Sequence, residues 1–222
     1  TIGLTGQFYI SRFRHRRQSF TSEYFVRTKT PLQAEKMLDA AARLFGTQRF
    51  HEVRMDDIAA EAGVGKGTLY RYFSDKDELY LALLQRSSGQ FVARVREAIA
   101  VAETAGAQLE ALVAAILDYF DERPHLLDLI QRAEVARGLG PEFPWYQTRD
   151  ELIRLLLNLF DRGRAQGAWV MRDPDLSALM LLGGIRSVIR FGQRPRPRGL
   201  AARIVTGFLE GATQVEPNQV VS

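Results

Sequence analysis

The chain has no cysteine and only three histidines, His15, His51 and His125. Without thiols there is no disulfide, no thiolate metal ligand and no cysteine nucleophile. Histidines this far apart in sequence argue against a zinc centre, so neither a metal nor a cofactor is expected. Long apolar runs are missing as well, and no stretch of 18 or more apolar residues reads as a membrane-spanning helix. The first residues lack the continuous apolar core of a signal peptide. A cytoplasmic protein without membrane association is the expectation. Catalytic constellations are also absent: no metal-ligand helix pair, no nucleophile beside a base. The glycine-rich GVGKG at residues 63–67 lacks the strand and the spacing of a phosphate-binding loop. No enzymatic activity is expected.

What the chain does have is enough apolar material for a core, with 46% hydrophobic and 25% charged residues among 222. The net charge of +4 is unevenly placed. Arg12, Arg14, Arg16, Arg17, Arg27 and Lys29 face only Glu23 within residues 1–30. These residues show no sustained period and read as a basic arm, either following a DNA duplex or simply a flexible leader. The remainder is nearly neutral, so overall charge is no argument for nucleic-acid binding. Any such argument rests on local pattern.

That pattern lies in residues 53–76, VRMDDIAAEAGVGKGTLYRYFSDK. Met55 to Ala62 suits a two-turn helix, with Asp56 and Asp57 at its positive end. Gly63 tolerates the positive φ of a tight turn. Lys66 to Phe73 suits a second short helix burying Leu69 and Phe73 at i and i+4. Two short helices across a glycine turn make a helix-turn-helix, which presents its second helix to the DNA major groove. Lys66, Thr68, Tyr70, Arg71 and Tyr72 avoid the Leu69/Phe73 face, and no acid lies between Val64 and Ser74. Threonine can meet a base edge or a thymine methyl, and Lys and Arg neutralise phosphates or pair with guanine. Lys66 and Gly67 leave backbone N–H groups open to a phosphate. An ordinary helical hairpin with a solvated face is the plain alternative, and the whole order of small, Gly, basic, Thr and aromatic residues argues against it.

With these residues the chain resembles the tetracycline-repressor (TetR) family of transcriptional regulators. The resemblance is carried by Ala40-Ala41-Ala42-Arg43-Leu44-Phe45, Asp57-Ile58-Ala59, Ala62-Gly63-Val64, Gly67-Thr68-Leu69-Tyr70-Arg71-Tyr72-Phe73 and Asp75-Lys76-Asp77-Glu78-Leu79. It is strong over residues 31–85; beyond them it rests on length and helical pattern. It implies an all-α protein of about nine helices: a helix-turn-helix domain over residues 31–76, then an effector-binding and dimerisation domain over 77–222. It also implies a repressor bound to a palindromic double-stranded DNA operator and released by a small-molecule effector. A helical protein-interaction module, or a regulator without an effector, is the alternative. In the first reading Thr68 and Tyr70 read bases, and Arg54, Tyr72 and Lys76 hold phosphates. A lysine in the first turn of a helix opposes the helix dipole, and the family gives Lys76 a phosphate contact that accounts for it.

The rest of the chain supports a helical second domain. Thr30-Pro31 opens the first helix, which Gly46 is expected to end. From Lys76 a long connector runs to about Ala102. Helices follow over 107–121, 124–137, 145–166, 174–192 and 200–213, with the loop GLGPEFP before Trp145 and the basic, proline-rich turn QRPRPRG before Leu200. The helices over 174–192 and 200–213 carry apolar or small residues around most of their surfaces, which suits burial on two sides. A two-fold four-helix interface would bury them and give the homodimer that a palindrome needs; core burial within one chain is the plain alternative. Tyr119, Phe120, Trp145, Tyr146, Phe160 and Trp169 are the candidate ligand-binding aromatics, with Trp145 and Tyr146 at the pocket mouth. Each also suits an ordinary core. Asp118 or Glu134, if buried, would favour a cationic ligand, but their spacing equally suits solvated faces.

Overall fold

The computed structural model describes residues 31–124, 126–137 and 144–212. The basic arm, Thr30, His125, most of the GLGPEFP loop and the tail after Ala212 lie outside the described residues. Among the described residues there are nine α-helices and no sheet. They are α1 (Pro31–Thr47), α2 (Met55–Glu61), α3 (Lys66–Tyr72), α4 (Lys76–Ala100), α5 (Ala105–Asp121), α6 (Leu126–Arg137), α7 (Pro144–Ala165), α8 (Pro174–Phe191) and α9 (Leu200–Ala212). No described helix is long and apolar enough to cross a membrane.

Helix boundaries follow local chemistry. The Asp75 carboxylate accepts from the Glu78 amide at 2.7 Å and starts α4. Thr104 does the same for α5 through Ala107, and Asp173 for α8 through Leu176. Proline at the first position of α8 supplies a preset φ where its missing N–H costs nothing. Gly63 turns the chain between α2 and α3 at φ +66°, and Val64 N–H then donates to Ala59 O at 2.9 Å. Some boundaries differ from expectation: α1 runs through Gly46 and ends at Thr47, α5 starts at Ala105 rather than 107, and α6 at Leu126 rather than 124.

Helices α1, α2 and α3 enclose a small core of Met37, Leu38, Ala41, Phe45, Val53, Ile58, Leu69 and Phe73, all buried. Phe50 in the α1–α2 connection stacks on Phe45, with centroids 5.3 Å apart, and meets Tyr80 of α4 edge-on. The second part is built around α5, which packs on α4, α7, α8 and α9. Its sequence AQLEALVAAILDYF is apolar on nearly every side, and such a helix must be surrounded. Leu109, Leu112, Val113, Ile116 and Tyr119 are accordingly buried. Near its start, Trp169 folds back across α7, and a Cβ at Gly163 would collide with the Trp169 ring. Only glycine permits that approach.

Candidate nucleic-acid interface and aromatic core

Around the helix-turn-helix, the residues read as DNA-facing divide into two groups. Arg54, Lys66, Gly67, Tyr70 and Arg71 are exposed, and Thr68 is half-buried. Arg54, Tyr70 and Lys76 line one shallow cleft of about 280 Å³ with His51 and Asp56. Three elements meet there: the start of α2, the outward face of α3 and the first turn of α4. Lys66 is ion-paired with Asp56, and that hydrogen bond raises its pKa above the ordinary lysine value. In this state the Lys66 charge is partly matched within the protein.

Tyr72 does not share the outward face expected of it. Its ring is buried, and its hydroxyl donates to Gln33 Oε1 on α1 at 3.0 Å. Tyr72 follows Leu69 by three residues and so lies on the same buried face of α3. Lys76 also has partners within the chain. Its ammonium donates to the carbonyl oxygens of Phe50 and Val53, each at 2.8 Å, and lies 4.5 Å from the centre of the Phe50 ring. The lysine opposing the dipole of α4 therefore ties down the α1–α2 connection.

The six candidate ligand-binding aromatics do not form one group. Tyr119, Phe120 and Trp145 gather around Phe91 of α4, with ring centroids 4.9, 5.5 and 5.6 Å from it. Tyr146 is half-buried beside Trp145. Phe160 instead stacks on Phe208 of α9 at 6.0 Å, and Trp169 lies against Gly163. Phe91 escaped the sequence reading as a binding residue because it continues the apolar stripe of α4. Ser88, one turn earlier on that stripe, was the available hint: it is buried and hydrogen-bonded to the buried Thr148 hydroxyl of α7. The Tyr119 hydroxyl donates to Ser87 O at 2.8 Å, and burial pushes its pKa up. At the edge of the cluster the Arg123 guanidinium covers the Tyr119 ring at 4.2 Å. Arg94 makes a paired contact to Glu122 at 2.6 Å through both nitrogens. Asp118 is exposed, which removes it as a buried partner for a cationic ligand. A separate cleft of about 450 Å³ between α4 and α7 is lined by Ile99, Leu155, Asn158, Leu159, Asp161 and Arg162, and by none of the six aromatics.

Comparison with known proteins places the same helices. Residues 37–83 match the family of bacterial regulatory proteins described as the tetR family. Over 86 residues the chain is 41% identical to the HTH-type transcriptional activator FasR of Mycolicibacterium smegmatis, a match covering 39% of each protein. It is 26% identical over 126 residues to the fatty acid metabolism regulator protein of Bacillus subtilis, covering 57% of this chain and 63% of that one. The matched stretches thus span less than two thirds of these curated relatives. In fold it resembles the FadR regulator of Bacillus subtilis solved in complex with stearoyl-CoA. The TM-score is 0.67 at 21% identity, over 80% of this chain and 98% of the other. A helix-turn-helix matched over residues 37–83, an all-helical remainder and this set of relatives agree: the chain carries a DNA-binding segment of the tetR family type and is similar to transcriptional regulators of that family.

Proposed function

We propose that the chain represses transcription as a homodimer bound to a palindromic operator and is released by a long-chain acyl-CoA. The observation that carries the DNA part is the convergence of Arg54, Tyr70 and Lys76 on one cleft beside the exposed face of α3. Thr68 and Tyr70 read base edges, while Arg54, Lys66, Arg71 and Lys76 neutralise phosphates. Tyr72 reaches phosphate only if its hydroxyl exchanges Gln33 for the DNA. The DNA-binding unit is taken as residues 31–76 and the regulatory unit as 77–222, both acting in the cytoplasm.

The dimer reading rests on α8. Leu176, Leu179, Met180 and Phe191 are 52, 48, 64 and 79% exposed, on the same helix as the open Gly183 and Gly184. An apolar stripe of this kind is uncommon on a monomer. Helix α9 adds a smaller outward face, with Gly207 and Gly211 open and Phe208 turned inward onto Phe160. Residues 174–192 and 200–213 together form the proposed interface, setting two recognition helices about 34–36 Å apart. The acyl-CoA reading is supported by the name of the Bacillus subtilis relative and by the stearoyl-CoA bound to the fold neighbour. The aromatic cluster is the corresponding apolar site here. FasR is named an activator, so the sign of regulation has a specific second reading. A promoter-reporter assay with the purified chain and the DNA upstream of its own gene decides it: repression relieved by palmitoyl-CoA supports the proposal, and stimulated transcription replaces it with activation.

A further inference from the structure

Among the described residues three buried side-chain donors have no hydrogen-bond partner: Arg86 Nε, Trp145 Nε1 and Trp169 Nε1. Native cores rarely leave such groups unpaired, and each exception calls for a reason. For Arg86, another nitrogen of the same guanidinium is engaged by Glu35 and Asp39. The Trp169 ring is fixed by its seat on Gly163. Trp145 has neither account. Its indole is 8% exposed, where α4, α5 and α7 meet, between Phe91 and Phe120. One turn further along α7, Thr148 is bonded to Ser88.

We propose that Trp145 Nε1–H is the donor for the thioester carbonyl oxygen of the acyl-CoA effector, with Phe91, Tyr119 and Phe120 against the adjoining methylenes. This rests on the acyl-CoA reading above. An indole is a donor only, so it selects an acceptor and adds nothing for a plain hydrocarbon. The cations near the cluster are already paired: Arg94 and Arg123 with Glu122, and Arg86 with Glu35 and Asp39. A carboxylate entering the cluster would be buried without a charge partner, which is costly. The site therefore prefers a neutral thioester to a free fatty-acid anion.

The chain has two tryptophans, so the same 222-residue chain labelled with ¹⁵N gives two indole N–H resonances, and Trp145→Phe assigns them. Titration with palmitoyl-CoA is expected to move the Trp145 resonance downfield. Its thioether analogue, S-hexadecyl-CoA, which lacks the carbonyl, leaves it in place. Trp169 serves as the internal control. Trp145→Phe is expected to weaken palmitoyl-CoA about 3–10-fold, the range of one net hydrogen bond, and to leave the thioether unchanged. The wild-type measurement does not depend on the variant folding. Equal indole shifts with both ligands, or equal weakening of both by Trp145→Phe, would assign Trp145 to packing alone and overturn the inference while leaving the effector reading intact. If the wild-type protein binds neither ligand, the acyl-CoA reading itself falls, and the inference with it.

Discussion

Arg86 of α4 donates to Asp39 of α1 at 2.8 Å, and the same nitrogen reaches Glu35 at 2.8 Å. It joins the helix that leaves the DNA-binding unit to that unit's first helix. The next two residues, Ser87 and Ser88, meet Tyr119 of α5 and Thr148 of α7. One turn of α4 thus touches both parts of the molecule. Arg86→Ala removes the cation shared by Glu35 and Asp39; its own side chain is 16% exposed but the carboxylates are 50 and 57% exposed, so the expected cost is about 1 kcal/mol. That corresponds to a melting temperature lower by a few degrees. It should also shrink the change in operator affinity that effector produces. A variant with unaltered melting and unaltered coupling would show the contact to be incidental.

Lys76→Ala carries a double expectation. Loss of a proposed phosphate contact lowers the slope of log affinity against log salt by about 0.9. Loss of the bonds to Phe50 and Val53 destabilises the helix-turn-helix by about 1–3 kcal/mol. Thermal unfolding without DNA separates the two. Full stability with a reduced slope would assign Lys76 to DNA alone.

For Gly163→Ala the new methyl group meets the Trp169 ring, and the ring must move. Overpacking of this kind costs about 1–3 kcal/mol. The emission of Trp169 is expected to shift with the loss of stability, read in a Trp145→Phe background. Unchanged emission and melting would contradict the close approach.

Glu122 has its carboxyl held down to about 2, first by the hydrogen bond from Arg94 and then by Arg123. A depressed carboxylate pKa contributes stability above its unfolded value, about 4.3, and that contribution disappears as pH falls through about 2. Both partners are substantially exposed, so the contribution is at most about 1 kcal/mol. Wild type is expected to exceed Glu122→Gln in stability at pH 6, with the difference vanishing near pH 2. A pH-independent difference would remove the ion pair as its cause.

Local chemistry was legible in the sequence, and long-range partners were not. Gly63 announced its turn, and Asp75 and Asp173 their helix starts, because each acts within four residues. Tyr72 lies three residues after Leu69 and so shares its helix face, but its hydroxyl partner, Gln33, is 39 residues away and was not legible. The dipole argument pointed Lys76 to a phosphate, whereas its partners within the chain lie in the α1–α2 connection. Aromatic composition marked the second part as rich in candidate ligand residues. Separating Tyr119, Phe120 and Trp145 from Phe160 and Trp169 required the way α5, α7 and α9 pack.

The central claim is that the exposed face of α3 reads a DNA sequence. Fluorescence anisotropy with labelled DNA from upstream of the chain's own gene, against a scrambled duplex at matched salt, tests it most directly. A preference of at least about 10³ for the native sequence is expected. Thr68→Ala and Tyr70→Ala should each reduce that preference by about 1–3 kcal/mol without changing the salt slope. Equal affinity for both duplexes, or an undiminished preference in both variants, would contradict the claim.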